Sequence, residues 1–185
     1  MGYGIMAYAV DVQVLSAPSA HTGDPQKFFD WMVEVHRATT CSEAVRTALR
    51  ELFFCEEHSS SDGAPYGLAL QILCARFGGA LSNRYWYPVG SGWFNKVGAA
   101  LDSLGIDFDP HDLAFSGSPI SLPEIEDFPA IGHFTRAELE PVARAFDTAD
   151  LSGIGDEEIA ESVTELRDWV RWCVDNDLDL VSFHY

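Results

Sequence analysis

The chain is short of positive charge. It contains 11 Lys and Arg residues against 29 Asp and Glu residues, so its formal net charge at pH 7 is −18. A field of that sign repels phosphate backbones and anionic lipid, which argues against direct binding to nucleic acid or to a membrane surface. No run approaches about 20 apolar residues, so no segment is predicted to cross a bilayer. The same field attracts positively charged partners.

The sequence also lacks the common signatures of metal sites and catalytic nucleophiles. None of its four cysteines lies in a C-x-x-C pair, and we expect all four to be reduced. The H-E-x-x-H, G-x-S-x-G, Walker and dinucleotide-binding patterns do not occur. We therefore predict no bound metal and no cofactor, assign no catalytic residue, and favour a protein that is not an enzyme.

The first residues do not resemble a secretion signal. They have no cationic start, and Asp11 ends the short apolar stretch 5–10. We therefore expect a cytoplasmic protein. A length of 185 residues, 47% of them hydrophobic, suits one globular domain over 1–185 with an ordinary apolar core.

Hydrophobic periodicity predicts strands at both ends of the chain and helices between them. This order indicates an α+β fold. We expect one small sheet that includes the N-terminal and C-terminal strands and packs with about five to six helices. The strands are expected at 1–15, 130–134 and 178–183. Six helices with cap or stop signals are also expected. One begins at Pro25, and two begin at the capping boxes Thr40–Glu43 and Thr135–Glu138. The other three are expected over 66–77, over 91–104 with Ser91 as cap, and over 156–175.

The negative charge is concentrated towards the end of the sequence. Residues 121–185 carry 16 acids against 4 arginines, a balance of −12, whereas residues 1–120 carry 13 acids against 7 bases, a balance of −6. Three explanations remain open: a solvated acidic surface that maintains solubility, adaptation of a whole proteome to salt, and a specific basic partner.

The most unusual local feature of the chain is the aromatic segment 83–87, which reads Asn-Arg-Tyr-Trp-Tyr. Tyr and Trp offer a large contact area at low entropic cost and Arg adds a directional charge, which is the composition of a binding hot spot. The alternative is a strand with Trp86 on one face and its two tyrosine neighbours on the other, serving the core. Trp93 and His133 are possible neighbours of a pocket here. The candidate binding residues are Asn83, Arg84, Tyr85, Trp86, Tyr87, Trp93 and His133.

Five stretches of the sequence carry a family resemblance: 1–6, 66–67, 127–132, 166–169 and 181–183. They resemble an uncharacterised bacterial family catalogued as a domain of unknown function. The resemblance covers essentially the whole chain and implies a fold without implying an activity. A looser similarity to YfbM-type α+β proteins rests on the glycine-rich opening strand, on 130–146 and on the final helix and strand.

These observations favour a non-enzymatic cytoplasmic binding protein. Its acidic C-terminal third would engage a basic protein partner, in an immunity-like or regulatory role. The alternative is a small-molecule-binding or hydrolytic enzyme with an aromatic pocket near residues 83–93, which would require a deep enclosed cavity. A third hypothesis is a nucleic-acid mimic, which would space its carboxylates like phosphates.

Overall fold

The structure, a computed structural model, describes residues 3–90 and 92–185, and within them it is α+β. Four strands form one antiparallel sheet, and six of the nine α-helices in these ranges have eleven residues or more. The strands are β1 (Ile5–Val10), β2 (Gly79–Ala80), β3 (Ala130–Phe134) and β4 (Asp179–His184). The helices are α1 (Val12–Leu15), α2 (Pro25–Val35), α3 (Arg37–Thr40), α4 (Glu43–Phe54), α5 (Ala64–Phe77), α6 (Trp93–Ser103), α7 (Asp112–Phe115), α8 (Arg136–Thr148) and α9 (Glu157–Asp175), with 3-10 turns at Pro18–His21 and Leu151–Gly153.

The two terminal strands belong to one sheet, as predicted, and the structure shows that they pair with each other at its centre. The strand order is β2-β1-β4-β3, and β1 pairs with β4 from Ile5↔His184 to Val10↔Asp179. Because helices cover both faces of these central strands, their apolar residues run almost continuously and do not strictly alternate.

Each face of the sheet supports its own apolar cluster. Ile5 and Leu180 belong to the cluster on the α6, α8 and α9 side, whereas Val10 and Val181 belong to the one on the α2, α4 and α5 side. Within the described residues, no helix combines the length and the apolar character needed to cross a membrane.

Irregular backbone covers both edges of the sheet. Beside β1, the amides of Leu81 and Ile5 donate to Ala7 and Trp86 at 2.9 and 2.8 Å. Beside β3, Gly117 donates to the carbonyl of Ile131 at 3.0 Å. Covered edges hinder strand addition by another chain, so the surfaces between elements are better candidates for a site.

Local cap signals predicted several helix boundaries correctly. Asp24 and Asp156 cap α2 and α9, and Thr135 forms a full capping box with Glu138 at the start of α8.

Other boundary predictions were wrong. The strand expected over 1–15 ends at Val10 in the described part of the chain, because the Asp11 carboxylate accepts from the Gln13 amide and starts a helical turn. Thr40 does not cap α4: its hydroxyl donates to the carbonyls of Val33 and His36, and Ser42 stands at the N-cap position. The predicted cap at Ser91 lies outside the described residues.

Candidate functional site

The aromatic segment forms a turn at the edge of the sheet. The Trp86 amide donates to Asn83 at 3.2 Å, and the Trp86 carbonyl accepts from Ile5 of β1. The aromatic segment therefore lies beside β1, as β2 does, but its turn interrupts the regular pattern of hydrogen bonds between strands. A bulge leaves backbone amides that must find partners elsewhere.

Glu165 of α9 satisfies those amides. Its carboxylate accepts from the backbone of Arg84 at 3.1 Å and of Tyr85 at 2.8 Å, and from the Ser82 hydroxyl at 2.5 Å. The side chain lies at the buried face of α9, with Glu165 only 8% exposed. A buried carboxylate is tolerated because several donors replace its water, and these donors tie the turn to the helix.

Two more residues on the same face of α9 complete the attachment. The Ser162 hydroxyl donates to the carbonyl of Tyr85 at 3.0 Å, and the Ser162 carbonyl accepts from the Trp86 indole at 3.1 Å. The Trp169 indole donates to the Ser82 carbonyl at 2.5 Å. Positions 162, 165 and 169 follow helical spacing, so one stripe of α9 fixes the turn.

An open groove of about 310 Å³ lies between this turn and α9, and we call it the α9 groove. One wall carries the half-buried ring of Tyr85. The other wall is a ridge of α9 in which Glu161 and Asp168 precede Trp172, whose side chain is 54% exposed. Aromatic rings and carboxylates therefore face the same space.

The segment predicted as a binding site divides between core and surface. Trp86 is fully buried and belongs to the core. Asn83 anchors the turn by donating to the Ile5 carbonyl at 3.1 Å. Arg84 is exposed, and its guanidinium carbon lies 5.4 Å from the centre of the Tyr85 ring. Tyr87 is 45% exposed. Of the five residues, Tyr85 lines the α9 groove.

Trp93 and His133 do not join this groove. Trp93 packs against the same apolar cluster as Trp86, and its buried indole N–H has no hydrogen-bond partner among the described residues. His133 lies on β3, at the opposite edge of the sheet, about 14 Å away at the usual strand spacing. Its Nε2 lies 3.5 Å from the Asp179 carboxylate.

The arginines of the acidic C-terminal third each pair with a carboxylate. Arg136 and Arg144 both contact Glu140, at 3.1 and 3.9 Å, and Arg136 also pairs with Asp177. On α9 itself, Arg171 reaches Asp147 on α8 at 2.5 Å and Arg167 reaches Asp168 at 2.9 Å. Within the described residues Glu161 forms no ion pair, so its charge is available to a cation in the α9 groove.

A second arrangement of chemical interest lies in a separate groove of about 360 Å³ beside α6. The His111 ring Nδ1 lies 2.9 Å from Asp109, whose carboxylate also accepts from the His111 amide. These hydrogen bonds hold the pKa of Asp109 below its ordinary value. In the described part of the chain, no group of three or more His, Cys, Asp or Glu side chains is placed to hold a metal ion.

Sequence reasoning missed Ser162, Glu165, Asp168 and Trp172. One signal could have found the first two. Ser162 and Glu165 occupy positions on the apolar stripe of an amphipathic helix, where a polar side chain normally requires a tertiary hydrogen-bond partner. Nothing in the sequence indicated which segment would supply that partner.

Fold and groove together define a small α+β protein with an open, acidic and aromatic surface cleft. A family model described as a domain of unknown function, DUF7691, matches residues 1–185, and the chain belongs to that family. Comparison with curated proteins finds no match, and comparison with solved structures finds none. The resemblance to an uncharacterised family is confirmed, whereas its bacterial origin and the looser similarity to YfbM-type proteins stay predictions.

Proposed function

We propose that the protein is a non-enzymatic binding protein whose α9 groove receives a lysine or arginine side chain of a basic protein partner. The observation that carries this proposal is the ridge of α9, where two carboxylates and an exposed indole face Tyr85 across an open groove. A cation can contact the ring faces and the carboxylates together.

The energetics favour a partner that combines charge with contact area. An exposed ion pair contributes about 0–1 kcal/mol, and an exposed cation–π contact about 0.5–1 kcal/mol. Neither alone gives a stable complex, so the rings of Tyr85 and Trp172 must also be covered. The net charge of −18 would accelerate association at low salt.

The open shape of the groove supports binding over catalysis. The enzyme alternative requires an enclosed cavity with convergent polar groups near 83–93, and the α9 groove is instead open to solvent. The four cysteines are free thiols in the structure, and a cytoplasmic location is part of this proposal. An immunity-like or regulatory role is part of the same proposal, since both require a binding surface and no chemistry.

A synthetic arginine-rich peptide tests the proposal, with its citrulline counterpart as the uncharged control. Calorimetric titration should show binding of the arginine peptide that weakens with added salt. Neutralising the groove with Glu161→Gln and Asp168→Asn should weaken binding about tenfold.

The matched control removes the same charge from α2, on the other side of the sheet, with Asp30→Asn and Glu34→Gln. This control should change the affinity less than twofold. Equal weakening by the two double variants, or equal binding of the citrulline peptide, would show that only net charge matters and would overturn the assignment of the groove.

A further inference from the structure

A further concave surface lies at the other edge of the sheet, where residues 116–129 connect α7 to β3. We call it the loop groove. It has a volume of about 550 Å³, and its walls include the half-buried side chains of Ile120, Leu122 and Ile125. Phe115 stands at its margin with 68% of its surface exposed. Exposed apolar surface of this kind often marks a contact site for another protein.

Most of the loop groove is formed by residues 116–129, which are held in place although they lack regular secondary structure. The Gly63 amide, at the start of α5, donates to the carbonyl of Glu124 at 3.0 Å. A Cβ at Gly67 would lie 2.9 Å from Pro129 and 3.1 Å from Ile125, so the loop sits directly on the helix surface. A groove fixed before binding loses little entropy when it is occupied.

The rim of the loop groove is acidic. Glu126 and Asp127 line it and also line an adjoining hollow of about 720 Å³, together with Asp62 and Glu124. Among the described residues, no Lys or Arg lines either concavity. Within the described residues none of these four carboxylates forms an ion pair, in contrast to the acids of α8 and α9 that pair with arginine.

Charge complementarity selects the occupant. A second copy of the chain carries the same charge of −18 and the same acidic rim, so its approach is opposed. An anionic membrane surface is opposed for the same reason. A peptide segment that combines an apolar side chain with flanking Lys or Arg complements both parts of the loop groove. The apolar side chain contacts the apolar walls, and the cations pair with the acidic rim.

We propose that the loop groove docks a segment of a partner protein in which an apolar side chain is flanked by basic residues. The segment places its apolar side chain against Phe115 and Ile120 while its cations reach Glu126 and Asp127. This surface is separate from the α9 groove and does not depend on the function proposed above.

A labelled model peptide of leucine and lysine, followed by fluorescence polarisation, tests this proposal. A serine–lysine peptide of equal charge and a leucine–glutamate peptide serve as controls. The leucine–lysine peptide should bind at least tenfold more tightly than either control. Phe115→Ser, and separately Glu126→Gln with Asp127→Asn, should each weaken its binding about tenfold.

Two control variants separate this surface from the rest of the molecule. Trp31→Ser removes another exposed aromatic ring, and Asp30→Asn with Glu34→Gln removes two negative charges from α2, whose residues line neither groove. Both should leave binding of the leucine–lysine peptide within twofold of wild type. Equal binding of the serine–lysine peptide, or no effect of Phe115→Ser, overturns the proposal. So does a dimer that Phe115→Ser converts to monomer, because the occupant is then a second copy.

Discussion

The α9 groove and the loop groove are both open to solvent, but they are built from different structural elements. The α9 groove presents carboxylates and an indole from one long helix opposite the ring of Tyr85, and one of those carboxylates, Asp168, already pairs with Arg167. The loop groove presents aliphatic side chains from irregular backbone, under a rim whose acids form no ion pair in the described part of the chain. The difference teaches that acidic composition alone does not describe a surface, because local arginines decide which carboxylates remain available.

A buried glutamate nevertheless fixes an irregular segment in each half of the molecule. Glu165 holds the turn beside the α9 groove, and Glu51 holds the polar loop that leads to Asp62 at the rim of the adjoining hollow. Glu51 is 5% exposed and accepts from the Ser59 amide at 3.1 Å and from the Tyr66 hydroxyl. The Tyr66 oxygen in turn accepts from Ser59, also at 3.1 Å. In both places a helix carboxylate satisfies backbone amides that no strand or helix serves.

Removing Glu165 should lower the free energy of unfolding more than any of the variants that follow. Glu165→Ala leaves two amides and a hydroxyl without their acceptor, and we expect the free energy of unfolding to fall by about 3 kcal/mol. Urea denaturation measures the loss. Glu161→Ala, one turn earlier on α9, is the control and should cost less than about 0.5 kcal/mol. Similar values for the two variants would mean that the turn does not rely on Glu165.

Removing one of the hydrogen bonds to Glu51 should lower the free energy of unfolding somewhat less, because another donor to its carboxylate remains. Tyr66→Phe keeps the ring in the core but removes the hydroxyl, and we expect a loss of about 2 kcal/mol. The Ser59 amide can still donate to Glu51 in this variant. Tyr8→Phe, which removes a hydroxyl bonded to Gln71 at 3.2 Å, provides a tyrosine control with a smaller expected loss.

The same variant should change the response of stability to acid. Burial on its own raises the pKa of Glu51, but the hydrogen bonds from Ser59 and Tyr66 outweigh burial and hold that pKa below its ordinary value of 4.5. Its contribution to stability is therefore present above pH 4.5 and is lost as the pH falls through the lower, folded-state pKa. Tyr66→Phe should reduce this acid-induced loss in urea titrations between neutral pH and about pH 3. If stability depends on pH in the same way in Tyr66→Phe and in the wild type, the hydrogen bond from Tyr66 to Glu51 is not the source of that dependence.

The smallest expected effect concerns the covering of β3 beside the loop groove. The Ser116 hydroxyl accepts from the His133 amide at 2.8 Å, and its own hydrogen is shared between the carbonyls of Asp112 at 2.7 Å and His133 at 3.1 Å. Ser116→Ala should lower the free energy of unfolding by about 1 kcal/mol and speed hydrogen exchange of the His133 amide. Ser118→Ala, on the same loop, is the control and should leave that exchange rate unchanged. Equal exchange in the two variants would contradict a sealing role for Ser116.

Local signals made much of the fold predictable. The caps at Asp24, Thr135 and Asp156 each join residues within three positions of one another. Thr40 failed as a cap because its hydroxyl finds carbonyls of the preceding helices, including one seven positions earlier.

The candidate site was predictable only in part. The aromatic segment drew attention to Tyr85, which does line the α9 groove, but it also included Trp86, which serves the core. The α9 residues that complete the groove were missed because they lie about 80 positions away in sequence. Their helical periodicity identifies a buried stripe without showing what covers it.

By itself the sequence determined the net charge, the amphipathic stripes and most helix boundaries, because each depends on composition or on neighbours within a few residues. Only the tertiary structure decided which carboxylates pair with arginine, which are buried and accept from backbone amides, and which face a groove. Contacts such as those from Arg84 and Tyr85 to Glu165 join residues 81 and 80 positions apart. The packing of α9 against the edge of the sheet brings these groups together, and no local pattern encodes that proximity.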